Sequence, residues 1–174
     1  MKEKISAFDY AGQIVKALPD GILLNTMGEK FNSMVIGWGH LGVIWGRETF
    51  TVYVRQSRYT KPLLDKTGEF TVSVPLSGKL GADVFRICGS QSGRQVDKAA
   101  AAHLTLIESE TIRTPGILEY PLTLECRVLY QQDQALCGIP EDIRKRYYAG
   151  GANEGDFHTA YIGEIVNAFI LRES

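Results

Sequence analysis

The amino-acid sequence predicts a mainly β protein, an antiparallel barrel with a few short helices. At least six short segments read as strands, several of which alternate apolar and polar residues with a period of two, and they are closely spaced along the chain. The helical segments are short and too few to alternate with the strands, as a doubly wound parallel sheet would require. Many short strands at close spacing are typical of an antiparallel barrel.

The N-terminal third begins with one helix and continues in strands. Apolar residues in 6–17 recur at helical spacing, and 19–21 (Pro-Asp-Gly) predicts a turn. Short strands are expected at 22–25 and at 33–36. Residues 49–55 alternate strictly and are rich in β-forming side chains, so they predict a strand with one buried face.

The middle of the chain alternates helix and strand signals. A helix is expected from Ser57 or Thr60, either of which can cap its start, to Gly68, which ends it. Residues 69–75 then read as a strand that a proline closes. The spacing of apolar residues in 79–88 predicts a second helix with a glycine at its C-terminal end.

The C-terminal half carries the strongest strand signals. After a short helix at 95–102 and a strand near 104–107, residues 122–131 alternate over five pairs and predict a half-buried strand. Residues 158–170 are apolar on both faces. Such a strand is covered on both sides, so we expect the core on one side and a helix or a second subunit on the other.

Composition excludes several classes of function. The 174 residues predict a single domain, 1–174, and a net charge of -1 offers no bulk attraction for nucleic acid. No apolar run of about 18 residues predicts a membrane helix, and the N-terminal residues lack a secretory apolar region, so we expect a cytoplasmic protein. Three cysteines without paired spacing and three scattered histidines predict neither a disulfide framework nor a metal site.

The sequence contains a match to a dinucleotide-binding motif, but the residues around the match argue against that function. Gly37, Gly39 and Gly42 spell GxGxxG after a plausible strand. A dinucleotide site needs a helix that opens at the third glycine, because the pyrophosphate binds the amides at the helix N-terminus. Here another strand signal follows, so we interpret the glycines as bends in a barrel strand and its loop.

Two neighbouring segments, 32–46 and 51–60, predict an anion site beside an apolar wall. Arg55 and Arg58 supply fixed donors to a phosphate, and the amides and hydroxyls at the helix start add more. This combination suits a phosphorylated planar ligand. A solvated arginine pair beside ordinary core aromatics is the alternative. Further polar groups come from Asn32, Ser33, Ser57, Tyr59 and Thr60, and the wall from Met34, Ile36, Trp38 and Trp45.

Five segments together carry a resemblance to a known family. They are NSMVIGWGHLGVIWG (32–46), TVYVRQSRYT (51–60), SGRQVDK (92–98), PLTLECRV (121–128) and GDFHTAYIGEIV (155–166). In this order the chain resembles the flavin-reductase-like FMN-binding split-barrel family, in particular its flavoredoxin-like branch, over about residues 20–170. The resemblance implies a split β-barrel homodimer with noncovalently bound FMN near the subunit interface. It also implies either flavin reduction by NAD(P)H or electron transfer with a redox protein partner.

The same resemblance implies the site residues. Asn32, Ser33 and Met34 would line the flavin, with backbone groups near Gly37 and Trp38. Arg55, Ser57, Arg58 and Thr60 would hold the phosphate, and Ser92, Gly93 and Arg94 would border the cofactor. His158 would face the flavin or the nicotinamide as the one candidate catalytic residue.

Alternatives remain open for single residues and for the function. His158, with an ordinary pKa of about 6.5, would titrate near neutrality, or it is a strand-end histidine bonded to a loop carbonyl. Arg94 contacts the ligand or pairs with Asp97. The function is that of an FMN oxidoreductase, of an electron carrier, or of a non-catalytic barrel that binds or stores a flavin.

Overall fold

The computed structural model describes residues 1–76, 78–151 and 154–172. Its main feature is an eight-stranded antiparallel sheet in the order β3-β2-β6-β9-β10-β5-β4, with β1 paired to the end of β10. The strands are β1 (Lys2–Lys4), β2 (Ile22–Met27), β3 (Phe31–Ile36), β4 (Gly39–Ile44), β5 (Arg47–Arg55), β6 (Glu69–Val74), β9 (Leu122–Asp133) and β10 (His158–Leu171). A separate two-stranded ladder joins β7 (Leu106–Ile107) to β8 (Gly116–Ile117).

Short helices pack around this sheet. The α-helices are α1 (Ala11–Ala17), α2 (Thr60–Thr67), α3 (Ala82–Ser90), α4 (Lys98–Ala101) and α5 (Glu141–Tyr147), and short 3₁₀ turns precede α1, follow it and precede α5. The two outermost strands of the sheet, β3 and β4, are consecutive in the chain, and only Gly37 and Trp38 join them. The sheet is therefore bent so that its first and last strands lie close together.

Two apolar clusters hold the fold together. The larger one fills the inside of the sheet, where Phe50, Phe70, Leu124 and Tyr161 are fully buried beside α1. The smaller one lies behind β2 and β3, where Leu23 meets α3, α4 and residues 104–120. Because both faces of β2 and β3 are covered, the position of β3 is fixed from two sides.

Most predicted elements are present, with shifted ends. Gly68 ends α2 in a left-handed conformation at φ 63°, as predicted. The helix expected at 79–88 instead runs over Ala82–Ser90 and continues through its glycine, because the amide of Gln91 still donates to Ile87. The strand expected near 104–107 is reduced to two residues because its only partner in the described chain is the short β8.

The final strand is covered unevenly. Near its C-terminal end Phe169 is buried, and the chain's own β8 packs close to it through Gly116. Around Ile162 the outward face of β10 lies only half-buried, next to the outward faces of β5 and β9. Within the described residues no helix is both long enough and apolar enough to cross a membrane.

Candidate functional site

Two adjoining cavities run along β3. The inner cavity, of about 130 Å³, lies between β3, the start of α2 and the segment from α3 to α4. The outer cavity, of about 170 Å³, lies where β3 leads into β4 beside β5 and the start of β10. Met34, Val35 and Arg58 line both, so the two form one continuous cleft.

Most residues predicted from the sequence line this cleft. The inner cavity has Asn32, Met34, Ser57, Arg58, Thr60, Ser92 and Gly93, and the outer cavity has Met34, Gly37, Trp38, Arg55, Arg58 and His158. Ser33 and Arg94 line neither cavity. Ser33 contributes its backbone carbonyl to a neighbouring side chain, and the exposed guanidinium of Arg94 lies 4.8 Å from the centre of the Tyr59 ring.

A lysine that the sequence did not single out lies in the inner cavity. Lys98, the first residue of α4, is only 3% exposed, and its ammonium donates to the carbonyl oxygens of Ser33 at 2.6 Å and Cys88 at 3.3 Å. Within the described chain it forms no ion pair with a carboxylate. Burial lowers the pKa of Lys98; Cys88 opposes this effect and Arg58 adds to it. A buried cation without a counter-charge favours an anionic ligand.

Asn32 and Gly93 meet at the wall of the same cavity. The amide nitrogen of Asn32 donates to Thr60 at 2.9 Å and to Thr26 at 3.3 Å, whereas its buried side-chain oxygen has no partner among the described residues. A Cβ on Gly93 would lie 2.1 Å from that oxygen, so only glycine fits there. The turn at Gly93 therefore lies directly against β3, and the oxygen of Asn32 is an acceptor that a ligand could use.

The two arginines have different surroundings. Arg55 donates to the backbone oxygens of Asp156 at 2.7 Å and Tyr147 at 3.0 Å, so its guanidinium holds the chain that precedes β10. Arg58 is exposed where the two cavities meet, and its side chain makes no hydrogen bond or ion pair with any described residue. Arg58 is thus the arginine whose donors are available to a ligand.

Ser57 is bound by a carboxylate from the far end of the chain. Its backbone amide donates to one oxygen of Asp156 at 3.0 Å, and its hydroxyl donates to the other at 2.6 Å. Next to it, the amide of Gln56 donates to the carbonyl of Phe157 at 3.0 Å. Ser57 does not cap α2; Tyr59 precedes that helix without a side-chain cap.

His158 is a buried, neutral side chain in the outer cavity. Its Nδ1 lies 2.9 Å from the hydroxyl of Tyr148, which itself donates to Gln134 at 2.9 Å. Because that hydroxyl has one proton, Nδ1 of His158 is the donor and Nε2 is left as an acceptor. Burial, together with the charge of Arg55, lowers the pKa of His158 to about 4. The ordinary pKa of about 6.5 suggested that His158 titrates near neutrality. In the folded protein it stays neutral there.

Aromatic rings surround this histidine. The centre of the Trp38 ring lies 4.8 Å from that of His158 and 5.2 Å from that of Tyr147 in an edge-on contact. Tyr53 completes the cavity wall, and burial raises the pKa of its hydroxyl. The cleft thus has a cationic end at Lys98 and an aromatic end at Trp38, which suits a molecule with an anionic group and a planar ring.

A larger groove of about 770 Å³ lies elsewhere, between the N-terminal segment and β10. Its ionisable residues are mainly acidic, with Glu3, Asp9 and Glu48 against Lys4, and none of the predicted site residues lines it. Within the described residues no three His, Cys, Asp or Glu side chains form a group that could hold a metal ion. The cleft along β3 is therefore the candidate site.

The sequence analysis missed two residues that shape the cleft, Lys98 and Asp156. Only Lys98 could have been recognised from a local sequence pattern. Lys98 begins an alanine-rich helix and shares a helix face with the buried Ala102, a pattern that could have marked it as inward-facing. No local pattern marks Asp156, because its partner Ser57 is 99 positions away in the sequence.

A family model described as "Flavin reductase like domain" matches residues 18–174. The chain belongs to this family. The flavin-reductase-like chain is also 32% identical, over 139 residues, to an uncharacterized protein of Archaeoglobus fulgidus; the match covers 80% of this chain and 65% of that protein.

Solved structures agree with the family assignment. A flavoredoxin from Methanosarcina acetivorans is 27% identical with a TM-score of 0.65, covering 87% of this flavin-reductase-like chain and 68% of that chain. The flavoredoxin of Desulfovibrio vulgaris (Miyazaki F) is 22% identical with a TM-score of 0.66; the match covers 87% of this chain and 69% of the flavoredoxin. The predicted split antiparallel β-barrel of the flavin-reductase-like type is thereby confirmed.

Proposed function

We propose that this protein binds FMN noncovalently in the cleft along β3 and acts as an oxidoreductase. The observation that carries the proposal is the buried ammonium of Lys98, which has no carboxylate partner among the described residues and lies at the opposite end of the cleft from an aromatic wall. Membership of the flavin-reductase-like family and 27% identity to a flavoredoxin support the choice of a flavin over other planar anions.

The residues of the inner cavity fit the phosphate end of FMN. Lys98 and Arg58 supply positive charge, and the turn that contains Ser92 and Gly93 supplies a hydroxyl and backbone groups. The side-chain oxygen of Asn32, which no described residue contacts through a hydrogen bond, fits a hydroxyl or N–H of the ligand. In this arrangement Arg55 fixes the neighbouring chain, and we assign the phosphate chiefly to Lys98 and to Arg58, which the sequence also indicated.

The residues of the outer cavity fit the ring. Met34, Gly37 and Trp38 supply apolar and backbone surface, and Nε2 of His158 supplies a hydrogen-bond acceptor. Because His158 is neutral above about pH 4, its role is to orient a ligand N–H rather than to donate a proton. When bound, FMN would supply the redox chemistry, namely transfer of a hydride from NAD(P)H and of electrons to an acceptor.

The second candidate function is that of an electron carrier that exchanges electrons with a redox protein. The 27% identical flavoredoxin favours this function. Tight retention of FMN on gel filtration with little NADH or NADPH oxidation would select the carrier, and rapid oxidation of either nucleotide would select the reductase. A bound flavin that can be neither reduced nor reoxidised would select the non-catalytic flavin-binding barrel.

We also propose a homodimer through the outward face of β4, β5, β9 and β10. Exposed or half-exposed apolar residues gather there, among them Trp45 at 62% exposure, Tyr130 and Ile162, and this face adjoins the outer cavity through Tyr53. A contiguous apolar patch beside a site is typical of an interface. Replacing Ile162 with Asp should give a monomer in sedimentation analysis, whereas replacing the exposed Val15 with Asp on α1 should not.

The test of FMN binding is direct. Protein purified in the presence of excess FMN should stay yellow after gel filtration, with absorption bands at roughly 370 and 450 nm. Riboflavin, which has the same ring without the phosphate, should bind more weakly. A protein that stays colourless with both flavins would overturn the proposal.

A further inference from the structure

The turn that begins at Ser57 already holds an anion from the chain itself. The carboxylate of Asp156 accepts one hydrogen bond from the backbone amide of Ser57 at 3.0 Å and another from its hydroxyl at 2.6 Å. Ser57 lines the inner cavity beside Arg58, so this carboxylate lies at the edge of the cationic end of the cleft. Arg55 holds the same residue through its backbone oxygen.

A phosphate monoester would seek the same donors. Carboxylates and phosphates are both oxyanions that accept paired N–H and O–H hydrogen bonds, and Ser57 offers one of each kind. Two anions that share one turn repel each other, so only one of them can use both donors at full strength. The positive side chains around the cavity, Arg58 and Lys98, attract whichever anion is present.

We propose that Asp156 is a built-in competitor of the ligand's phosphate, which must displace the carboxylate from Ser57 on binding. This inference rests on the proposed FMN function. Asp156 thereby determines how strongly the protein prefers a phosphorylated flavin over an unphosphorylated one: its negative charge weakens FMN binding and leaves riboflavin binding unaffected.

The displacement also affects the aromatic end of the cleft. Asp156 lies two residues before His158, and the carbonyl of Phe157 between them accepts from Gln56. When the carboxylate leaves Ser57, the Asp156 backbone stays attached to Arg55, while the side-chain contact that joins this segment to the phosphate end is lost. Phosphate binding at one end of the cleft is therefore coupled to the segment that positions His158 at the other end.

The test compares two flavins on two variants. Asp156→Asn keeps the size and one acceptor of the side chain but removes its charge, so we expect about tenfold tighter FMN binding and unchanged riboflavin binding, measured by quenching of flavin fluorescence. Asp133→Asn is the matched control, because the Asp133 carboxylate is bonded to Gln56 and Thr159 rather than to Ser57. This control should leave both affinities as they are.

The outcomes separate the two proposals. If Asp156→Asn leaves the FMN affinity unchanged or weakens it, the proposed competition between Asp156 and the phosphate is wrong, although flavin binding itself stands. If neither flavin binds the wild-type protein, the proposed FMN function is wrong. A measurement without any variant follows the carboxyl ¹³C resonance of Asp156 by NMR. It should shift when FMN is added and not when riboflavin is added, and a resonance that FMN does not move would also overturn the competition.

Discussion

The ammonium of Lys98 lies 2.6 Å from the backbone oxygen of Ser33, and this contact joins the first residue of α4 to the middle of β3. Two consequences follow. The cation is fixed at the wall of the inner cavity, and the dipoles of two carbonyl groups compensate its charge in part. Such partial compensation leaves an attraction for anions that a surface lysine, which is fully hydrated, does not have.

Removing this charge should weaken binding of the phosphorylated flavin selectively. Lys98→Met keeps the length of the side chain, and we expect FMN affinity to fall by at least about tenfold while riboflavin affinity changes little. Isothermal titration calorimetry with both flavins measures this, and the exposed Lys66→Met on α2 is the control for the change in net charge. Equal losses for FMN and riboflavin would place the phosphate elsewhere.

A single methyl group at Gly93 should disturb the inner cavity. Because a Cβ there would lie 2.1 Å from the side-chain oxygen of Asn32, Gly93→Ala must push the turn away from β3. We expect FMN affinity to fall by about tenfold or more and the free energy of unfolding by about 1–3 kcal/mol. Gly89→Ala is the matched control. Gly89 lines the same cavity, but a Cβ there would come no closer than 3.7 Å to Val35, which is an ordinary contact distance.

The buried imidazole of His158 should make the protein less stable in mild acid. Its folded-state pKa of about 4 lies below the ordinary value of 6.5, so as the pH falls between these values the unfolded chain takes up the proton first. Stability should decrease by up to about 3 kcal/mol across this interval, since each pH unit corresponds to about 1.4 kcal/mol. Urea unfolding at pH 7, 5.5 and 4.5 measures it.

The histidine variants identify the group responsible. His158→Gln should remove this part of the pH dependence, whereas the exposed His40→Gln on β4 should retain it. A slope that His158→Gln leaves unchanged would assign the acid sensitivity to other groups.

A second buried ionisable group should stabilise the fold at neutral pH. Burial alone would raise the pKa of Glu125 on β9, but hydrogen bonds from the Thr111 hydroxyl, from the amides of Glu110 and Thr111, and from Asn167 lower it overall. The stabilisation is present above the ordinary pKa of the carboxyl and is lost as the pH falls below it. Glu125→Gln should cost about 2 kcal/mol at pH 7, and the exposed Glu29→Gln should cost almost nothing in the same denaturation experiment.

The sequence predicted the elements of this fold well because the relevant signals are local. The alternation in 122–131 and 49–55 follows from the two-residue period of a strand, and the stop at Gly68 follows from the left-handed conformation that glycine adopts without strain. Most of the candidate residues that the sequence indicated within 32–38 and 55–60 also line one cleft, because the two compact segments that contain them flank it.

Chemical roles within the site depended on the tertiary structure. The sequence determined that Arg55, Ser57 and Arg58 stand together; only the fold decided that Arg55 and Ser57 are engaged by the segment at Asp156 while Arg58 keeps its donors available. Lys98 meets Ser33 across 65 positions and Ser57 meets Asp156 across 99. Residue patterns report neighbours within about four positions, so such contacts are settled by packing of distant segments and by the burial that packing imposes on each charge.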